Sequence, residues 1–449
     1  MARPGFTVAL LPWGNVLEDF LDTIGVSLDS FCDDFTGSWM FGYVSALKQA
    51  GVRTVLVVVS GQATAPRYAV HAPSGATICI LPAPRLYRLI RRWVRNPYGR
   101  TVERVFGEAR GLRRLLVPLL AVLRELLPYL ATPVGPLARE LRRMGCDALL
   151  CQEYEYARFD VCVLLGRLMR LPVFASFQGG DEQWSRIERL LRPLTIRASA
   201  GLIVASSDER LRVRRRYRLL PANMAVVFNP LDLTLWRAAD RGEARAALGI
   251  PPAARVVAWH GRVAIERKGL DVLADAWDRV CRARAGCDLR LLLVGAGHDA
   301  ERLRRLIETL HLRGVTWLDR FVHDRDTLRG YLSAADVYAF ASRHEGFPVA
   351  PIEAMACGLP VVAADAQGLP DILAGGEADG GILVPRGDAP ALAAALGRLL
   401  DDEALARELG LRARRRAEAC FSYDAVGPQL RAFLSRGGTS GQPAEASRQ

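Results

Sequence analysis

Two carboxylates and two cations in the second half of the chain have the types and spacing to hold a ligand that is anionic at one end and rich in hydroxyls at the other. Glu345 and Glu353 lie eight residues apart in Ser342-Arg343-His344-Glu345-Gly346-Phe347-Pro348-Val349-Ala350-Pro351-Ile352-Glu353. Each carboxylate oxygen accepts strong, charge-assisted hydrogen bonds, which suits sugar and ribose hydroxyls. Arg262 and Lys268 are six residues apart and bracket a loop that leads into a helical pattern. They can converge on one anion, where free helix amides add partial positive charge. Gly261 precedes Arg262, and Gly295-Ala296-Gly297 reads as a place where backbone comes close to a ligand. The missing third glycine sets it apart from a dinucleotide fingerprint.

Lysine is scarce. Of 60 basic residues only Lys48 and Lys268 are lysine. An ammonium and a guanidinium are not interchangeable at a tight phosphate contact, which makes Lys268 a candidate phosphate ligand.

These residues need strands and helices to position them. Short, continuously apolar runs, from Thr7–Leu11 to Gly381–Val384, alternate with helical patterns such as Leu270–Arg284 and Ala389–Leu400. Such runs fit strands buried on both faces of a parallel sheet. Two successive βα series predict an α/β protein with two Rossmann-like, doubly wound domains, whose ligands sit beyond the carboxyl ends of the strands. The expected division is residues 1–235, residues 236–421, a closing helix at 422–435 that crosses back to the first domain, and a disordered tail at 436–449. The change of domain is expected between Asn229 and Arg255, where Asn229-Pro230 and Pro251-Pro252 interrupt the pattern.

Composition excludes several classes. The chain has 449 residues, 50% hydrophobic and 24% charged, with a net charge of +12. That is too apolar for a disordered chain and too long for one core. Nine cysteines without regular spacing argue against a disulfide framework or a zinc site. No secretory leader is expected, and the most apolar stretch, Leu115–Pro136, carries Arg124 and Glu125 at its centre, against a membrane span. Between Arg85 and Arg143 fall 14 Arg and four Glu, an excess of 14 − 4 = 10. This segment reads as amphipathic helices with Leu89, Trp93, Val105 and Leu115 on their apolar faces, and as a surface for anionic lipid or an anionic acceptor. No nucleic-acid signature accompanies it.

Together, Gly261-Arg262…Lys268-Gly269 and Glu345-x7-Glu353, in the frame Glu-Gly-Phe-Pro…Glu-Ala-Met-Ala-Cys-Gly-Leu-Pro-Val-Val, resemble the donor site of family 4 retaining glycosyltransferases with the GT-B fold. The resemblance is dense from about Val256 to Val384 and thin over the first half. It implies two Rossmann-like domains facing across a cleft, the first binding acceptor and the second a nucleoside-diphosphate sugar. It also implies that Arg262 and Lys268 neutralise the diphosphate, Glu345 contacts the transferred sugar and Glu353 holds the ribose. Gly295 and Gly346-Phe347-Pro348-Val349 would line the donor, with Phe321 and Val322 against the base. No metal or other cofactor is implied.

In the first half, Gly14 follows the first strand, about where relatives carry a glycine-rich phosphate loop. Gln178-Gly179-Gly180-Asp181 stands where many have His-Gly-x-Asp. Gln178 can donate to a sugar hydroxyl but cannot titrate, which weakens any histidine-based mechanism. The resulting expectation is a metal-independent retaining glycosyltransferase acting on a glycan or lipid-linked acceptor, cytoplasmic or peripheral on the membrane's inner face. The alternatives are a non-catalytic GT-B scaffold for an anionic partner and a sugar-nucleotide epimerase.

Overall fold

The computed structural model describes residues 5–33, 35, 38–99, 101–108, 115–177, 179, 185–322 and 324–436. Gln178, Asp181, His323 and the expected tail beyond Arg436 therefore lie outside the described residues.

The chain folds as two compact units, each around its own sheet. The first sheet contains β1 (Thr7–Leu11), β2 (Arg53–Ser60), β3 (Arg67–Val70), β4 (Thr77–Pro82), β5 (Ala148–Gln152), β6 (Val173–Ser176), β7 (Gly201–Val204) and β8 (Met224–Val226). Its order is β3-β4-β2-β1-β5-β6-β7-β8, parallel except for the β3–β4 pair. β3 was not legible as a strand. As an exposed edge strand it carries no continuous apolar run, and only Ala69 of its four residues is even half-buried.

The second sheet contains β9 (Arg255–His260), β10 (Leu289–Val294), β11 (Val315–Leu318), β12 (Val337–Phe340), β13 (Val361–Ala364) and β14 (Gly381–Val384). It is wholly parallel, in the order β11-β10-β9-β12-β13-β14. Both faces are covered. Trp259, Trp277 and Leu396 pack in a cluster on one face, and Trp236, Tyr338, Met355 and Phe421 in a cluster on the other. Continuous apolar strands are what such double coverage requires.

Residues change units at Val227/Phe228, not at 235/236. The reason is packing, since Leu231 and Trp236 are buried in a second-unit core cluster and Leu231 N donates to Phe421 O at 2.7 Å. The closing helix, Tyr423–Ser435, is grouped with the first unit from Gly427 onward. There Arg431 donates to Ala50 O at 2.8 Å, and Phe433 meets Phe174 edge-on at 5.5 Å. Between β1 and the helix Tyr43–Gln49 stand two short helices, Leu17–Ile24 and Leu28–Asp33.

The basic segment is helical, and its apolar side chains divide between core and surface. Tyr87, Val94, Val105, Leu127 and Ala131 form its buried cluster, whereas Leu89, Trp93 and Leu115 are exposed. All nine cysteines are free.

Beside β5 and β6, the helix Arg186–Ala198 opens with a capping box of Ser185 and Glu188. Glu188 is packed near Asp160 and Arg192, and burial pushes its carboxyl up to about 7 against the pull of Arg192. A folded-state value above the unfolded one means that the native state holds the extra proton between pH 4.5 and 7, so stability falls as pH rises through that window. Glu188→Gln, which keeps a capping-box side chain, is expected to raise the melting temperature at pH 8 and leave it nearly unchanged at pH 4. The full effect is at most about 3 kcal/mol. Thermal melts at the two pH values check this, and an equal shift at both would refute it.

Candidate functional site at the carboxyl edge of the second sheet

Strand order reverses direction between β9 and β12, and there the two strands pair over only Val257↔Val337 and Ala258↔Tyr338, whereas β9 and β10 pair over six residues. Beyond that point the β9 and β12 ends are no longer paired, as at the switch points where open α/β sheets bind ligands. His260 ends β9, and Glu353 lies in the short helix Ala350–Ala356 that follows β12. His260 Nε2 is 2.9 Å from Glu353 Oε2, and both side chains are largely buried. His260 Nδ1 is buried without a partner. Buried Tyr338, whose phenol is pushed well above its usual value by desolvation, donates its hydroxyl to His260 O at 3.3 Å. This fixes the histidine backbone from the neighbouring strand.

The second pair is Lys268 Nζ with Glu345 Oε1, at 2.6 Å. Glu345 is 8% exposed and Lys268 20%. Lys268 does not open the long helix as expected. It closes a single turn, Ile265–Lys268, and Gly269 with φ +61° separates that turn from the helix Leu270–Ala283. A Cβ on Gly269 would lie 1.9 Å from Ala341 O, so only glycine lets this turn sit against the end of β12.

Arg343, which the sequence did not single out, locks the arrangement. Its guanidinium grips Asp271 with two bonds of 2.7 Å, and its amide donates to Arg267 O at 2.9 Å. The Ser342–Glu345 loop is thereby fastened to the turn carrying Lys268. The available signal was an arginine two residues before Glu345, unremarkable in a chain with so many arginines.

Arg262 is exposed and has no hydrogen-bond or ion-pair partner among the described residues. Its loop is fixed by the backbone, with Gly261 N donating to Val294 O and Val263 N to Ala296 O, both at 3.0 Å. Gly295 and Gly297 also have a packing role within the chain. A Cβ on Gly295 would lie 1.9 Å from Gly261 O, and one on Gly297 2.1 Å from Val263 O. The glycines admit the neighbouring loop of the same chain, and so hold Arg262 in place.

Other expected donor residues divide by side chain and backbone. Phe347 stacks on Phe228 at 5.4 Å, and Phe347, Val349 and Val322 pack against the core, with Pro348 buried. What Gly346, Phe347, Pro348 and Val349 can offer a ligand is their backbone. Phe321 is 62% exposed beyond β11, the edge strand. Among the described residues no three His, Cys, Asp or Glu side chains gather as metal ligands would.

In the first unit Gly14 adopts φ +96°. Its loop is held by buried Arg158, which donates to Pro12 O at 3.0 Å and to Asn15 O. Gly179, φ +88°, is the described member of the Gln178–Asp181 group. Glu18 accepts from Ser60 Oγ and from Gly61 N, and Asp19 pairs with Arg91. Glu18, Asp19, Gly61 and Arg91 line a cavity of ≈ 700 Å³ together with Arg85, Arg88 and Arg92. Arginines and carboxylates in one cavity suit a ligand bearing both phosphate and hydroxyls.

Comparison with known proteins agrees with this geometry. Residues 254–402 match the family described as Glycosyl transferases group 1. A D-inositol 3-phosphate glycosyltransferase of Rhodococcus erythropolis is 33% identical over 253 residues, 56% of this chain and 56% of that protein. One from Nocardia farcinica is 36% identical over 242 residues, 53% of each. The alignments thus span little more than half of these relatives. Among solved structures, sucrose-phosphate synthase from Thermosynechococcus elongatus has a TM-score of 0.67 at 22% identity, over 96% of this chain and 98% of that one. Anabaena HepE in complex with UDP has a TM-score of 0.65 at 16% identity, over 96% and 100%. Residues 254–402, within the second unit, are thus similar to the family described as Glycosyl transferases group 1, and the two parallel-sheet units have the GT-B fold of these structural neighbours.

Proposed function

We propose that the chain is a metal-independent, retaining glycosyltransferase that moves a sugar from a nucleoside diphosphate to a hydroxyl of a glycan or lipid-linked acceptor. The observation that carries this reading is the meeting of a cation and a carboxylate, Lys268 and Glu345, at the carboxyl edge of the sheet, with Arg262 unpaired nearby in sequence and His260–Glu353 across the switch point. In the reaction the bond from the anomeric carbon to the β-phosphate oxygen breaks, and a bond to the acceptor oxygen forms on the same face. The acceptor proton passes to the departing phosphate. Negative charge grows on the diphosphate, where Arg262 and Lys268 stabilise it more than they stabilise the ground state. Glu345 orients the sugar by accepting from its hydroxyls. Glu353, held by His260, accepts from the ribose.

Solved HepE structures contain UDP and UDP-glucose, so UDP heads the panel of nucleotides. Calorimetric titration in EDTA with UDP, GDP and ADP tests the donor site. One nucleotide is expected to bind selectively, with affinity falling at least about tenfold in Lys268→Ala, as loss of one charge-assisted contact implies. Binding that requires added metal, or that is unchanged in Lys268→Ala, would refute this reading. The non-catalytic scaffold reading predicts no turnover with any donor.

A further inference from the structure

Among the described residues, half of the large apolar side chains that stand exposed fall within one stretch of the first unit. Leu86, Leu89, Trp93, Tyr98, Leu115, Leu116, Leu119, Val122, Leu126 and Val134 are ten of the 20. They follow helical spacing. Along the helix Arg85–Arg91 and its extension, Leu86, Leu89 and Trp93 face outward while Tyr87 and Val94 are buried. Leu115, just before the helix Val117–Leu130, and Leu119, Val122 and Leu126 along it recur every three or four residues, while Leu127, about 100° round from Leu126, is buried. The two helices share one buried cluster, through Tyr87 and Val94 from the first and Leu127 and Ala131 from the second. Their outward faces are therefore amphipathic in the wrong sense for water. A third helix, Arg186–Ala198, packs against the second, with Ser185 Oγ donating to Glu125 Oε2 at 2.8 Å, and exposes Leu190 and Leu194.

From Leu86 to Tyr98 the charges between these side chains have one sign. Arg85, Arg92 and Arg95 are exposed, and no described carboxylate pairs with any of them. No Asp or Glu occurs from Arg85 to Val102. A tryptophan and several leucines flanked by unpaired arginines are the chemistry of a helix lying at a bilayer surface, with apolar side chains below the headgroups and guanidinium groups among the phosphates.

By length and composition Val117–Arg143 is long and apolar enough to cross a membrane. Here it is two helices, Val117–Leu130 and Val134–Arg143, broken before Pro133. The first has 14 residues, about 21 Å at 1.5 Å per residue, well short of an apolar core of about 30 Å. Leu127 and Ala131 are also committed to the protein's own core.

We propose that this face of the first unit docks on an anionic lipid bilayer, lying in the interface without spanning it. The cavity lined by Arg85, Arg88 and Arg92 borders it, because Leu89 belongs to both the cavity wall and the exposed stripe. The inference is independent of the donor chemistry of the second unit.

Sedimentation of the full chain with vesicles tests it. Vesicles of phosphatidylcholine mixed with phosphatidylglycerol are expected to bind the chain at least about tenfold more tightly than phosphatidylcholine alone, as several interfacial arginines imply. Trp93→Ser with Leu119→Ser, and separately Arg92→Glu with Arg95→Glu, are each expected to abolish binding while leaving the melting temperature unchanged. Arg415→Glu, on an exposed helix of the second unit, is expected to bind like the parent. No binding to anionic vesicles, or binding indifferent to both double variants, would overturn the proposal. So would a vesicle-free dimer that Trp93→Ser with Leu119→Ser converts to monomer, since a second copy would then cover the face.

Discussion

Glu345→Gln is expected to lower the transfer rate by roughly a hundredfold to a thousandfold, the range for losing one group aimed at the reacting centre. Nucleotide affinity is expected to hold or rise. The two halves of this expectation have one structural cause. Glu345 is almost fully buried and its carboxylate spends its charge on Lys268 at 2.6 Å. With the neutral amide in place the ammonium loses its partner and is freer to meet a phosphate, while the sugar loses the acceptor that orients it. Rate measurements at saturating donor, paired with calorimetry on the nucleoside diphosphate, separate these effects. If rate and affinity fell together, Glu345 would be a positioning residue for Lys268 and not a sugar contact.

Gly269→Ala is expected to destabilise the second unit by more than about 3 kcal/mol, in the uncommon tail of single substitutions. Two costs combine. The residue sits at φ +61°, where a side chain adds roughly 1–2 kcal/mol of strain. The new Cβ would also lie 1.9 Å from the Ala341 carbonyl oxygen, backbone at the end of β12 that cannot swing aside. Relief would require parting the Lys268 turn from the strand that leads to Glu345, so nucleotide binding should be lost with stability. Gly286→Ala is the control. It is exposed, and a Cβ there meets nothing within 4 Å, so its denaturation midpoint should barely move. Equal midpoints for the two variants would refute the expectation.

The second unit was legible because its strands are buried on both faces, which leaves unbroken apolar runs such as Val256–Trp259 and Val337–Phe340. Glu345, Glu353, Arg262 and Lys268 could be singled out as candidates by their combined spacing at strand ends and its resemblance to a known donor-site pattern. Three things were not legible. The His260–Glu353 contact joins residues 93 apart, and no local spacing encodes it. Arg343 was hidden by the abundance of arginine. The packing of Gly295 and Gly297 against the chain's own carbonyls was the third, since a glycine that admits a carbonyl is indistinguishable in sequence from one that admits a ligand. That Leu89, Trp93 and Leu115 stand exposed while Val105 is buried was not legible either. Helical spacing gives the stripe but not the direction in which it turns.

The scarcity of lysine makes the protein its own reporter. An acylating reagent meets only two ε-amino groups along the chain. Lys48 is exposed, donating to Ser74 O at 2.7 Å, far in sequence from the donor residues. Lys268 is the ammonium beside Glu345. Modification at Lys48 therefore calibrates reagent dose, and modification at Lys268 reads occupancy of the site. The ratio of two peptides in one mass spectrum becomes a binding isotherm for any unlabelled nucleotide, without a tag, a fluorophore or knowledge of the acceptor.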